Sequence, residues 1–95
     1  MNKKEQLTKG ANNMENLLMQ YRNNNGLTYR KMARQITTIL RKSGEKLQVS
    51  HESVEDYAKS NKEPREDIVS KAIAEYIGTT TKDFLASLRA CKKAG

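Results

Sequence analysis

The chain has 95 residues, enough for one domain with a modest core, and it is 36% hydrophobic and 31% charged. A single cysteine excludes an internal disulfide, no His, Cys or acidic residues have metal-ligand spacing, and no apolar run approaches the roughly 20 residues that span a bilayer. The net charge of +7 suits a polyanionic partner.

Residues 1–11 are polar and carry Lys3, Lys4, Lys9 and Gly10, which predicts a flexible basic arm ahead of a folded unit over residues 12–95. A first helix is expected from Asn12 or Asn13, because Asn12 and Glu15 have capping-box spacing. Met14, Leu17, Leu18 and Tyr21 would be its buried stripe, and Met19 stands apart from it. The run Asn23-Asn24-Asn25-Gly26 ends it, since Asn and Gly accept the left-handed conformation. Thr28 is the expected N-cap of a second helix reaching about Lys42. Tyr29, Met32, Ala33, Ile36, Ile39 and Leu40 share one face, and Arg30, Lys31, Arg34, Gln35, Arg41 and Lys42 lie mostly away from it. Ser43-Gly44 breaks this helix, and Leu47 and Val49 of the following link should plug the core.

Ser50 then has the place of an N-cap, with Val54, Tyr57 and Ala58 as the apolar stripe of a short third helix. A helix this short is unstable alone in water, so it must dock on a neighbour and display its polar side. Residues 60–64 read as a loop, and Pro64 should open the fourth helix, where a missing N–H costs nothing. Ile68, Val69, Ala72, Ile73, Tyr76 and Ile77 make its apolar face, and Gly78 ends it. Thr80 and Asp83 repeat the capping-box spacing. Phe84, Leu85 and Leu88 continue into a last helix that frays from Lys92. Alternation of apolar and polar residues never persists, so the expected fold class is all-α with five helices.

Three segments, in order, resemble the lambda-repressor-like helix-turn-helix family (the Xre or Cro type). Leu27-Thr28-Tyr29-Arg30-Lys31-Met32-Ala33 is similar to the opening of that family's second helix, Leu-Ser/Thr-x-x-x-hydrophobic-Ala. Residues 47–64, LQVSHESVEDYAKSNKEP, follow the register of its recognition helix and Pro-ended loop. Residues 76–85, YIGTTTKDFL, resemble its hydrophobic-Gly-x-Ser/Thr-x-x-Glu/Asp-hydrophobic-Leu ending. The chain departs from the family in the long interval from Arg34 to Gln48, as in a subset of phage repressors with an extended second helix. Tyr29 stands where Gln is common, Ala58 where Glu is common, and Glu52, Glu55 and Asp56 put acid where phosphate would repel it.

The resemblance implies a five-helix domain that binds double-stranded DNA. In the first turn of the third helix, His51, Glu52 and Ser53 would lie nearest the base edges, with Glu55 a turn further on. His51 and Glu55 form an i, i+4 pair, but no further ligand or nucleophile joins them, so a surface histidine is the simpler alternative to metal or acid–base chemistry. Glu52 has its own alternative, complementing the helix dipole, and Glu55 could pair with Lys59. The resemblance implies backbone contacts from Tyr29, Arg30, Lys31 and Arg34 on the second helix, and from Lys59, Asn61 and Lys62 around the loop. Tyr29 also lies on the apolar stripe. Ten of the 18 Lys and Arg lie within residues 1–50, against three Asp and Glu there, so the positive excess is all in that half.

The expected function is therefore a dimeric, sequence-specific transcription regulator, a repressor of a phage, plasmid or other mobile element. The alternative is a protein-interaction module, such as an antirepressor, that reuses the fold and meets a regulatory protein. No nucleophile, base and orienting group assemble into an enzyme, and no cofactor or metal is called for. The lone Cys91 fits a reducing bacterial cytoplasm, and the opening MNKKEQLTKG has no apolar stretch of a signal peptide.

Overall fold

Side-chain capping marks where four of the five described helices begin. In the computed structural model, which describes residues 15–94, α1 (Leu17–Asn25) starts at Asn16, whose side chain accepts from the Met19 N–H at 2.9 Å. The helix therefore begins four to five residues later than the Asn12/Asn13 start expected from sequence. Asn16 wins as the cap because the same side chain is also used elsewhere, as described below. Asn12, Met14 and the basic arm over residues 1–11 lie outside the described residues. The first N–H of α1, on Leu17, donates to Ser87 Oγ of the last helix at 3.2 Å.

Thr28 caps α2 (Tyr29–Lys42) by accepting from the Lys31 N–H, and Met32, Ala33, Ile36 and Leu40 are its buried face. Glu45 N–H donates to Leu40 O at 2.9 Å and Gly44 N–H to Arg41 O at 3.0 Å, a Schellman closure with Gly44 at φ 85°. Ser50 caps α3 (His51–Lys59) by accepting from the Ser53 N–H at 3.1 Å, and Val54 and Ala58 are buried. The fourth helix, α4 (Asp67–Ile77), begins after Glu66 rather than at Pro64. It starts where its buried run Val69, Ser70, Ala72, Ile73 and Ala74 starts, and the proline stays in the preceding loop. α5 (Thr81–Ala94) opens with Thr80 Oγ1 accepting from the Asp83 N–H at 3.0 Å.

Among the described residues the protein is all-helical, with five helices and no strand. Leu18, Met32, Ile36, Leu40, Val54, Ile73, Phe84 and Leu88 are fully buried, so each helix gives at least one side chain to a single core. α2 packs on α3 and α4, α4 on α5, and α1 on α3, α4 and α5. Met19 is not apart from this core but packed against it, as are Tyr29 and Tyr57.

Two side chains tie α2 and α4 to their surroundings. The Tyr76 hydroxyl donates to Gln35 Oε1 on α2, and its ring meets Tyr21 edge-on with centroids 5.1 Å apart. Burial, and next the Tyr21 hydroxyl, push the Tyr76 phenol up to about 12. Leu47 departs from expectation: it is 36% exposed, while Val49 two residues later is buried. Only Val49 is anchored, through both its backbone groups, to Thr37 of α2. None of the helices is long and apolar enough to cross a membrane, among the described residues.

Candidate nucleic-acid interface

The third helix is held differently at its two ends. At the N-terminal end, Thr37 Oγ1 accepts from the Val49 N–H at 3.1 Å and donates to Val49 O at 3.4 Å. This seats the link beside the middle of α2 and aims the first turn of α3 outward. At the C-terminal end, the two hydrogens of Asn16 Nδ2 are shared among Tyr57 O at 3.0 Å, Ala58 O at 3.1 Å and Asn61 Oδ1 at 2.7 Å. Asn16 is only 1% exposed, so one buried amide caps α1 and closes α3 together. Asn61 takes φ 58°, the left-handed conformation that asparagine tolerates.

Beside the N-terminus of α3 lies an open cleft of about 500 Å³. Its α2 wall carries Arg30, Arg34, Thr37, Thr38 and Arg41, and its other wall is Gln48, Val49, Ser50 and His51. No carboxylate lines it, among the described residues. The three guanidinium groups and the positive end of the α3 dipole outweigh the Glu52 carboxylate, 3.9 Å from His51 Nε2, and favour an anion such as phosphate.

The residues singled out from sequence fall into three groups. Arg30, Arg34 and His51 share the cleft, and Lys31 is exposed on the first turn of α2 next to it. Glu52 is exposed, with its carboxylate 3.9 Å from His51 Nε2, and Ser53 is half-buried with its hydroxyl 3.1 Å from Ser50 Oγ. Glu55 pairs with Lys59 at 3.3 Å, one turn along α3, as the i, i+4 spacing allows.

The remaining three stand elsewhere. The Tyr29 ring is half-buried under the Arg22 guanidinium, 4.3 Å from the ring centroid, and its hydroxyl lies 3.8 Å from Met19 Sδ. Asn61 gives its side-chain oxygen to Asn16. Lys62 is exposed in the loop after α3. Tyr57, below the first turn of α3, has its phenol pushed up chiefly by burial, with a Ser53 hydrogen bond acting the other way.

Sequence reasoning left Arg41, Gln48, Thr37 and Thr38 out of the site. Arg30, Arg34, Thr37, Thr38 and Arg41 recur at helical spacing on one side of α2, a signal that was present in the chain. Gln48 had none, because its place depends on how Thr37 seats the link.

Elsewhere the titratable groups have structural partners. The Glu63 carboxylate accepts two hydrogen bonds from Arg89, at 3.1 and 3.0 Å, which hold it below the usual carboxylate range. Cys91 is buried, and burial raises its thiol, as does the Glu15 carboxylate, so the reactive thiolate is disfavoured. Among the described residues no three His, Cys, Asp or Glu side chains gather to hold a metal. Compared with protein-family models, with curated proteins and with solved structures, the chain matches none.

Proposed function

We propose that this protein is a sequence-specific, double-stranded DNA-binding regulator that acts as a repressor in a phage, plasmid or other mobile element. The observation that carries the reading is the carboxylate-free cleft, with Arg30, Arg34 and Arg41 on α2 facing Ser50 and His51 at the start of α3. In this reading α2, the link and α3 form a helix-turn-helix with a lengthened second helix, of the lambda-repressor-like kind. His51, Glu52 and Ser53 approach base edges, and Arg30, Lys31, Lys59 and Lys62 hold phosphates. Tyr29 and Asn61 serve by fixing the start of α2 and the loop after α3. A single domain reads only a short half-site, so the working form is a homodimer on a two-fold operator.

Fluorescence anisotropy with a labelled duplex across a salt series tests this. Each phosphate contact releases counterions, so the log–log slope for a dimer is expected to be several units negative. A flat response overturns the reading. It would favour the second one, a protein-interaction module such as an antirepressor, which is supported by Glu52 and Asp56, exposed on the outer side of α3.

A further inference from the structure

The three arginines of the cleft are not equivalent. Arg30 is in the first turn of α2 and Arg41 in the last, with Arg34 between them. Thr37 ties Val49 to the middle of α2, so α3 begins beside the centre of that helix and α2 overhangs it on both sides. With about 1.5 Å of rise per residue, Arg30 and Arg41 are separated by roughly 16 Å along the axis. The major groove of DNA is about 12 Å wide. A helix of this span is long enough for its two ends to meet both walls of one groove.

We propose that α2 lies across the major groove as a bar, with Arg30 and Arg41 holding phosphates of opposite strands and Arg34 between them reading a guanine edge. This rests on the DNA-binding reading above and gives it a recognition residue outside α3. The planar fork of Arg34 matches the O6 and N7 acceptors of guanine, which a lysine ammonium cannot match in the same way. Arg34 shares the cleft with Gln48 and His51, whereas Asp56, exposed on the outer side of α3, is repelled by phosphate. The overhang beyond Thr38 is what brings in the second strand. An α2 ending there would carry Arg30 and Arg34 but not Arg41.

A pool of random-sequence duplexes selected by the wild-type protein supplies the probe, followed by phosphate-ethylation interference on the most enriched duplex. Arg30→Ala, Arg34→Ala, Arg34→Lys and Arg41→Ala all change exposed side chains, and helicity and Tm confirm that each variant is folded. Arg34→Ala is expected to lose preference for a guanine at one half-site position, on the order of tenfold or more, and Arg34→Lys to keep part of it, since an ammonium also donates to O6 and N7. Arg30→Ala and Arg41→Ala should keep that preference, and each should lose one ethylation-sensitive phosphate, on opposite strands of the same groove. The proposal is overturned if Arg34→Ala keeps the guanine preference, if the two phosphates lie on one strand, or if Arg41→Ala leaves the pattern intact. Wild-type binding without sequence enrichment also overturns the Arg34 assignment, while DNA binding itself stands. A wild-type protein that binds no duplex at any salt concentration removes both readings.

Discussion

At its C-terminal end α3 is closed by a buried amide, Asn16, with three hydrogen-bond acceptors on two segments, whereas at its N-terminal end a single hydroxyl, Thr37, seats the link and the rest faces an open cleft. The contrast separates two tasks within nine residues. One end is fixed by satisfied, desolvated polar groups, whose disruption is costly. The other caps its Ser53 amide with Ser50 and sets the His51 imidazole beside the guanidinium groups of α2 at the open cleft.

The largest effect should come from the closed end. Asn16→Ala removes the cap of α1 and leaves the carbonyls of Tyr57 and Ala58 without their donor. A loss of about 3 kcal/mol or more is expected in denaturant unfolding, from the cost of a lost cap plus unpaired buried groups. A loss under about 1 kcal/mol would show that water replaces the amide freely.

Thr37→Val keeps the shape and removes the hydroxyl, leaving the Val49 N–H without its partner. Here the expected loss is about 1–2 kcal/mol. Because the link then loses its seat, duplex affinity should fall by more than stability accounts for, read by anisotropy under conditions where the variant is fully folded. Equal affinity would mean that the link is positioned by Val49 packing alone.

These two sites show what the sequence could and could not disclose. Thr28 and Ser50 were legible as caps because each satisfies an amide only three residues away, and the start of α2 and the start of α3 followed from them. The start of α1 was not legible. Asn12 and Asn16 have the same local chemistry, and the choice is made by carbonyls 41 and 42 residues further along the chain. Pro64 marked a loop residue rather than a helix start, since burial of Val69 and Ile73 sets the register of α4. Leu47 has the alternation of a core residue but no tie to α2 like that of Val49. The arginine row on α2 was readable from spacing alone, whereas its enclosure by Gln48 and His51 needed the path of the link.

Smaller effects sharpen the contrast at the open end. If Glu52 accepts from a cytosine amino group, Glu52→Ala should change preference at one base position by roughly 1 kcal/mol or more, measured by competition among single-substitution duplexes. Uniform tightening on every duplex would make Glu52 a repulsive surface charge only. Lys62, beyond the closed end, should act on all sequences alike. Lys62→Ala is expected to make the salt slope shallower by about one unit per subunit, with base preference unchanged.

The hydrogen bond from Tyr76 to Gln35 has an optical consequence. The chain has four tyrosines, one phenylalanine and no tryptophan, so phenol absorbance and emission dominate its near-ultraviolet signal. Burial pushes the Tyr76 phenol up to about 12, whereas in an unfolded chain it would ionise near the ordinary 10.0. Stability tied to this phenol is complete below pH 10 and is lost as pH climbs from about 10 towards about 12. The acceptor, Gln35, is the immediate neighbour of Arg34 on α2. The late titration comes from burial, and next from Tyr21 on α1, so it reports on the packing of α4 among its neighbours, and Tyr76→Phe identifies its share of the spectrum. The protein contains its own dye, seated where α1, α2 and α4 meet.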